Sequence, residues 1–131
     1  MPLLSRWFIR TALLYLLLSF TVSLAQALVP SGTALAWPTY LHLLVVGWLT
    51  QLIFGVAYWM FPRYQAGLGF PFERLGWICY GCLNAGLLLR VAAESGPESS
   101  WRSELFVVSA LLQLIGGWAF VVTTWPRVRG R

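Results

Sequence analysis

Apolar residues fill four long stretches of the chain, at about 8–29, 40–61, 75–93 and 105–125, and polar or turn-forming residues crowd the short segments between them. Each stretch comes close to the roughly 20 residues that a helix needs to cross a hydrocarbon core. A helix pairs its own backbone groups, the only open-ended way to span lipid, so each stretch is predicted as a membrane-spanning helix. The expected fold is all-α, a single transmembrane domain over residues 1–131 arranged as an up-down-up-down four-helix bundle. The first connection, "PSGTALAWP", is uncharged and closes on Trp37-Pro38, an interfacial aromatic followed by a proline suited to a first helical turn. The second, "PRYQAGLGFPFER", holds two prolines and two glycines that stop one helix and start the next. The third, "ESGPESSWRSE", is the most polar part of the chain.

Composition agrees with the pattern: 59% of the 131 residues are hydrophobic and 10% are charged, where a soluble domain carries about 25%. Charge placement predicts orientation. Arg6, Arg10, Arg63, Arg74, Arg127, Arg129 and Arg131 fall on one side of the bundle, while Arg90 and Arg102 fall on the other beside Glu94, Glu98 and Glu104. The positive-inside rule then puts both termini in the cytoplasm, as expected of a multi-pass protein of a bacterial-type inner (cytoplasmic) membrane. The net charge of +5 is scattered over helix ends. That distribution matches anionic lipid headgroups and does not call for nucleic acid. The first apolar run, with Arg6 and Arg10 before it and "AQA" at Ala25–Ala27 after it, also has the outline of a secretory signal. Its length favours a retained helix; cleavage would leave three spans in the same orientation.

Chemistry-bearing residues are few. His42 is the only histidine, one turn inside the predicted second helix. An imidazole in an apolar span is a candidate for haem ligation, metal ligation or proton relay as well as for a structural role. Arg90, near the outer end of the third helix, is expected at nearly the same depth, with Ser23 and Gln26 of the first helix close to that level. Arg90 would either snorkel to headgroups or pair with Glu94, or hold a ligand carboxylate beside His42. A second polar layer is expected near mid-depth, where Gln51, Asn84 and Gln113 should hydrogen-bond between helices. The rows Gly47/Gln51/Gly55, Gly81/Ala85 and Cys82/Gly86 permit close helix contact within or between protomers. Trp7, Trp37, Trp59, Trp77, Trp101 and Trp125 fall at predicted boundaries, and Trp48 and Trp118 fall deeper, against a ligand or between helices.

Cys79 and Cys82 have the C-x-x-C spacing, yet Leu83 stands where a c-type haem site needs histidine and no second cysteine pair exists. They read as small packing residues. The chain has no glycine-rich phosphate loop and no Ser/His/Asp set, which argues against hydrolase and phosphoryl-transfer chemistry. Protein groups alone make a poor metal site with one histidine and no aspartate. A porphyrin supplies four nitrogens itself and asks the protein for one or two axial ligands, so haem is the metal group that best suits one imidazole.

The stretch from His42 to Arg63, "HLLVVGWLTQLIFGVAYWMFPR", resembles the second transmembrane helix of haem-copper oxidase catalytic subunits (subunit I), especially the cbb3-type oxidases and the related nitric oxide reductases. The likeness covers about 25 residues and extends weakly into "NAGLLLR" at Asn84–Arg90. It is also similar to short four-helix members labelled subunit I-like. The resemblance implies that His42 is an axial ligand of haem b and that Arg90, matched by depth, holds the haem propionates. It implies a respiratory-chain setting, with electron transfer or haem, NO or O2 handling. The remaining histidines of the family, which hold copper and the high-spin haem, have no counterpart here, so oxygen reduction by this chain alone is not expected. The chain resembles one of three four-helix arcs, which suggests a homo-oligomer, dimer or trimer, with haem bridged between copies of His42. Met60, 18 residues along the same helix, lies about 27 Å away and cannot serve as the second ligand. The other expectation is a cofactor-free membrane subunit or assembly partner of a respiratory complex that keeps the helix as a packing surface.

Overall fold

Backbone hydrogen bonding carries the helices beyond the apolar runs that predict them. The structure, a computed structural model, describes residues 1–29, 37–61 and 69–128, apart from the side chains of 69–71. It contains α1 (Leu3–Leu28), α2 (Trp37–Met60), α3 (Gly69–Ser95) and α4 (Arg102–Val128). Each begins earlier than its apolar run because polar and aromatic residues such as Arg6, Trp7, Arg102 and Glu104 continue the helix past the hydrocarbon boundary. Trp37-Pro38 does open α2. Most of the first two connections, Arg63, Arg129 and Arg131 lie outside the described residues.

All four helices are long and apolar enough to cross a membrane, and only 17–28% of the best apolar window of each is buried inside the protein. The remainder is a coat of leucine, valine and isoleucine, including Leu13, Leu14, Leu17, Leu114, Ile115 and Val122. Water would be a poor solvent for such a surface and lipid a good one.

The interior of α2 departs from the expected α-helix. From Leu43 to Thr50 it is a π-helix, bounded by α-helical turns at Trp37–His42 and Gln51–Met60. The Thr50 hydroxyl donates to the carbonyl oxygen of Val45 at 2.9 Å, bridging the same five-residue interval. The physical need is a matter of phase. Thr39, Leu43, Gly47, Gln51 and Gly55 are all buried, a row with a step of four. In a helix of 3.6 residues per turn such a row drifts by about 40° per step and winds off the contact face. A π turn, bonded to the fifth residue, takes up nearly one more residue and cancels the drift.

Packing sorts the helices into α1 with α2 and α3 with α4, the second pair having the longest seam. Small residues set both seams. A Cβ on Gly47 would lie 2.8 Å from Cγ of Tyr15, and one on Gly55 would lie 2.9 Å from Cβ of Phe8, so α2 rests directly on α1. On the other seam, a Cβ on Gly86 would meet the Ser109 carbonyl oxygen at 2.9 Å and one on Gly116 would meet Leu83 Cγ at 2.8 Å. The Gly81/Ala85 row faces outward instead: Ala85 is exposed, and a Cβ on Gly81 would have no neighbour within 4 Å.

An aromatic cluster joins the two pairs. Phe54 of α2 stacks on Phe120 of α4 with centroids 3.6 Å apart. Phe8 fills the space between Phe54, Tyr58 and Tyr80. Cys79 is fully buried in this cluster and Cys82 is half-buried, both with free thiols.

Candidate functional site

Two polar groups of residues interrupt the apolar interior. At mid-depth, Asn84 of α3 is the hub: its Oδ1 accepts from the Tyr15 hydroxyl at 3.0 Å and from Gln51 Nε2 at 3.2 Å. Its amide nitrogen donates to the Tyr80 carbonyl at 2.8 Å and reaches Gln51 Oε1 at 3.4 Å. One turn along, Thr11 Oγ1 and the Tyr80 hydroxyl are 2.8 Å apart. The expected Gln51–Asn84 pairing is therefore present, with Tyr15 as a third member that depth matching along the sequence missed. Gln113 does not join: its Nε2 is buried with no hydrogen-bond partner, and its Cγ borders Gly86 in the α3–α4 seam.

The second group lies at the far end of α3. His42 Nδ1 sits 2.9 Å from Oε1 of Glu94, and the Thr39 hydroxyl donates to Oε2 of the same carboxylate at 2.8 Å. The Glu94 side chain is only 7% exposed while the imidazole is 28% exposed. Nδ1 and Oε1 are close, but the N–H direction is not in line with the oxygen, so the contact is electrostatic and a small ring rotation would complete a hydrogen bond. Two turns of α2 hold the pair together: Thr39 and His42 sit in the α-helical opening, and the π stretch that follows keeps them on the side that faces α3. Nine residues separate His42 from Gln51, which in an α-helix is about two and a half turns and opposite faces. Through the π segment the same residues make about two turns, and both side chains meet α3.

Such an arrangement orients the imidazole. A carboxylate at Nδ1 favours the tautomer with hydrogen there and leaves Nε2 as the basic, ligating nitrogen. No hydrogen bond to Nε2 is present among the described residues. Glu94 is thus His42's partner, a role that nothing in the residue pattern favoured over pairing with Arg90. The legible signal was position: an acidic residue in the last turn of a span, at the depth of the lone histidine.

Arg90 points elsewhere. Its guanidinium carbon lies 5.2 Å above the centroid of the Phe106 ring of α4, and its Nε is buried without a hydrogen-bond partner. Among the described residues no carboxylate is within ion-pair distance of it. Arg102 lies against the same ring at 5.6 Å and closes the end of α3, donating from Nε to the Ala93 carbonyl at 2.7 Å. Ser23 is exposed and makes no hydrogen bond among the described residues.

The chain matches no family profile, no curated protein and no solved structure. The site must be read from its own atoms. Among the described residues no three His, Cys, Asp or Glu side chains converge as a metal cluster, so a bare ion would find no more than two such side chains together there. Trp118 is 63% exposed and turned away from the interior.

Proposed function

We propose that this is a multi-pass protein of a bacterial-type inner membrane, with up-down-up-down helices and cytoplasmic termini, that binds haem b through Nε2 of His42. The topology is supported by contacts that rise together along α1 and α3, Gly76 beside Leu4, Tyr80 beside Thr11 and Asn84 beside Tyr15. The observation that carries the haem reading is the 2.9 Å approach of Glu94 to Nδ1, which readies the opposite nitrogen of a part-exposed imidazole. Carboxylate or carbonyl partners of this kind accompany most metal-ligating histidines. The residues fit a porphyrin better than a bare ion, because only one protein nitrogen is on offer. A bound haem would supply one-electron transfer when six-coordinate, or an open position for NO, CO or O2 when five-coordinate.

His42 would bind the iron and Glu94 would hold the ring; Arg90, one turn from Glu94 on α3, would hold the propionates, and Arg102, whose guanidinium rests on the Ala93 and Glu94 carbonyls, lies at the level of the pair as well. With a single histidine per chain, six-coordination by two imidazoles needs a second copy, which favours a dimer or trimer with haem at the interface.

A visible spectrum of the detergent-purified protein, expressed with ample haem, tests this. A Soret band and a reduced alpha band are expected, lost in His42→Ala. No haem in the wild type, or an unchanged spectrum in the variant, removes the proposal. The second reading is a cofactor-free subunit or assembly partner of a respiratory complex. It is favoured by the outward Gly81/Ala85 face of α3, where another helix could approach closely. A haem-free protein that co-purifies with a larger membrane complex would support it.

A further inference from the structure

Among the described residues, Arg90 leaves a buried guanidinium nitrogen without a hydrogen-bond partner beside the α3–α4 seam. It lies five residues before the end of α3, about 7.5 Å down the helix axis. A guanidinium at that depth is costly unless something neutralises it. Glu94 is committed to His42 and Thr39, Glu98, almost wholly exposed, reaches Arg102 at 3.9 Å, and the exposed Glu104 makes no ion pair among the described residues. Phe106 lies 5.2 Å from the Arg90 guanidinium carbon, but a ring face supplies no hydrogen-bond acceptor of the strength that Nε–H requires. Arg102, anchored on the Ala93 and Glu94 carbonyls, brings a second guanidinium to the same ring. Two arginines, one ring and an unmet donor define a site that lacks an anion. Planar guanidinium forks match the oxygens of a phosphate, and the phosphates of anionic lipids lie at the level of the helix ends on either side of the bilayer.

We propose that Arg90 and Arg102, set about the Phe106 ring at the Glu94 end of the α3–α4 seam, bind a phosphate anion, supplied by an anionic phospholipid headgroup or by free phosphate. The site does not include the imidazole of His42, which meets Glu94 from the α2 side; it shares Arg90 with the propionate role proposed above, and the phosphate proposal does not depend on haem.

The test uses the full chain, delipidated in neutral detergent, as wild type and again in a His42→Ala background so that haem cannot contribute. Native mass spectrometry would compare retention of phosphatidylglycerol with that of phosphatidylcholine. A second arm would follow thermal melting with inorganic phosphate against chloride at equal ionic strength. Wild type should prefer phosphatidylglycerol, and Arg90→Gln should lose about fivefold of that preference, with Phe106→Leu showing a smaller loss. Arg10→Gln, which removes an equal charge near the start of α1, should lose less than Arg90→Gln. Phosphate-specific stabilisation that vanishes in Arg90→Gln, without lipid preference, would assign the same site to free phosphate. Equal losses in Arg90→Gln and Arg10→Gln would reduce the effect to general basicity and overturn the proposal. So would a wild type that shows neither preference, an outcome that needs no variant to fold.

Discussion

The two polar groups on the inner face of α2 are built from similar contacts but differ in what they leave over. At mid-depth, the Asn84 side chain has a partner for both its oxygen and its nitrogen, drawn from α1, α2 and its own helix. Nine residues toward the start of α2, the Glu94 carboxylate is likewise enclosed by Thr39 and His42, yet the imidazole keeps a part-exposed edge. A buried polar group that is fully paired holds helices together, whereas one with a basic nitrogen directed outward offers a ligand. The contrast teaches that polarity within a span is not itself a sign of function. The residual capacity for bonding is the sign, and it is concentrated at the His42 end.

Replacing Asn84 with leucine should break this comparison most severely. The change deletes the acceptor shared by Tyr15 and Gln51 and leaves both buried groups unmatched. With interhelical hydrogen bonds in membranes averaging about 0.6 kcal/mol and reaching about 1.7 kcal/mol, a loss of about 2 kcal/mol in bundle stability is expected, read by denaturant titration in micelles. Haem content per folded chain should be unchanged. A variant that unfolds no more readily than wild type would show that the amide layer is incidental to assembly.

Glu94→Gln should give the reverse profile. The amide oxygen can still accept from Thr39, so the stability cost should be about 1 kcal/mol or less. The imidazole loses its carboxylate partner and, under the haem binding proposed above, haem affinity should fall about 10-fold, the lower end of what loss of a ligand's supporting carboxylate costs. Titrating haem into the purified variant measures this. Unaltered affinity would mean that Glu94 does not hold the ligating ring.

How far these features could be read from the sequence depends on the physics behind each. Spans were legible because apolar length maps directly to bilayer thickness, and the Gln51–Asn84 pair because depth follows residue count along a helix. Azimuth was not legible. Whether His42 faces α3 or lipid depends on the winding of residues 43–50, and an α-helical assumption puts it opposite Gln51. A hint lay in the step-of-four row, since Gly47, Gln51 and Gly55 had the right spacing, but extending it back through Leu43 to Thr39 required knowing that they are buried. Tyr15 was hidden for a related reason: it reaches Asn84 only because Gly47 lets α2 settle onto its ring. Arg90 was left open in direction, as the facing ring belongs to α4.

The finest division concerns Gln113, which depth alone assigns to the same layer as Gln51 and Asn84. Its Nε2 is buried and unpartnered in the α3–α4 seam, so removing the amide removes a desolvation cost and not a bond. Replacing a buried unpaired polar group by an apolar one of similar volume is close to neutral or stabilising. Gln113→Leu should therefore change bundle stability by no more than about 0.5 kcal/mol, and any change should favour the folded state. The same micelle titration used for Asn84→Leu measures it, with the two variants compared side by side. A loss comparable to that of Asn84→Leu would mean that the layer extends across all of α2, α3 and α4, with Gln113 bonded in it. A neutral result would confine the layer to α1, α2 and α3, and leave the α3–α4 seam held by the close approach of Gly86 and Gly116 to their neighbours.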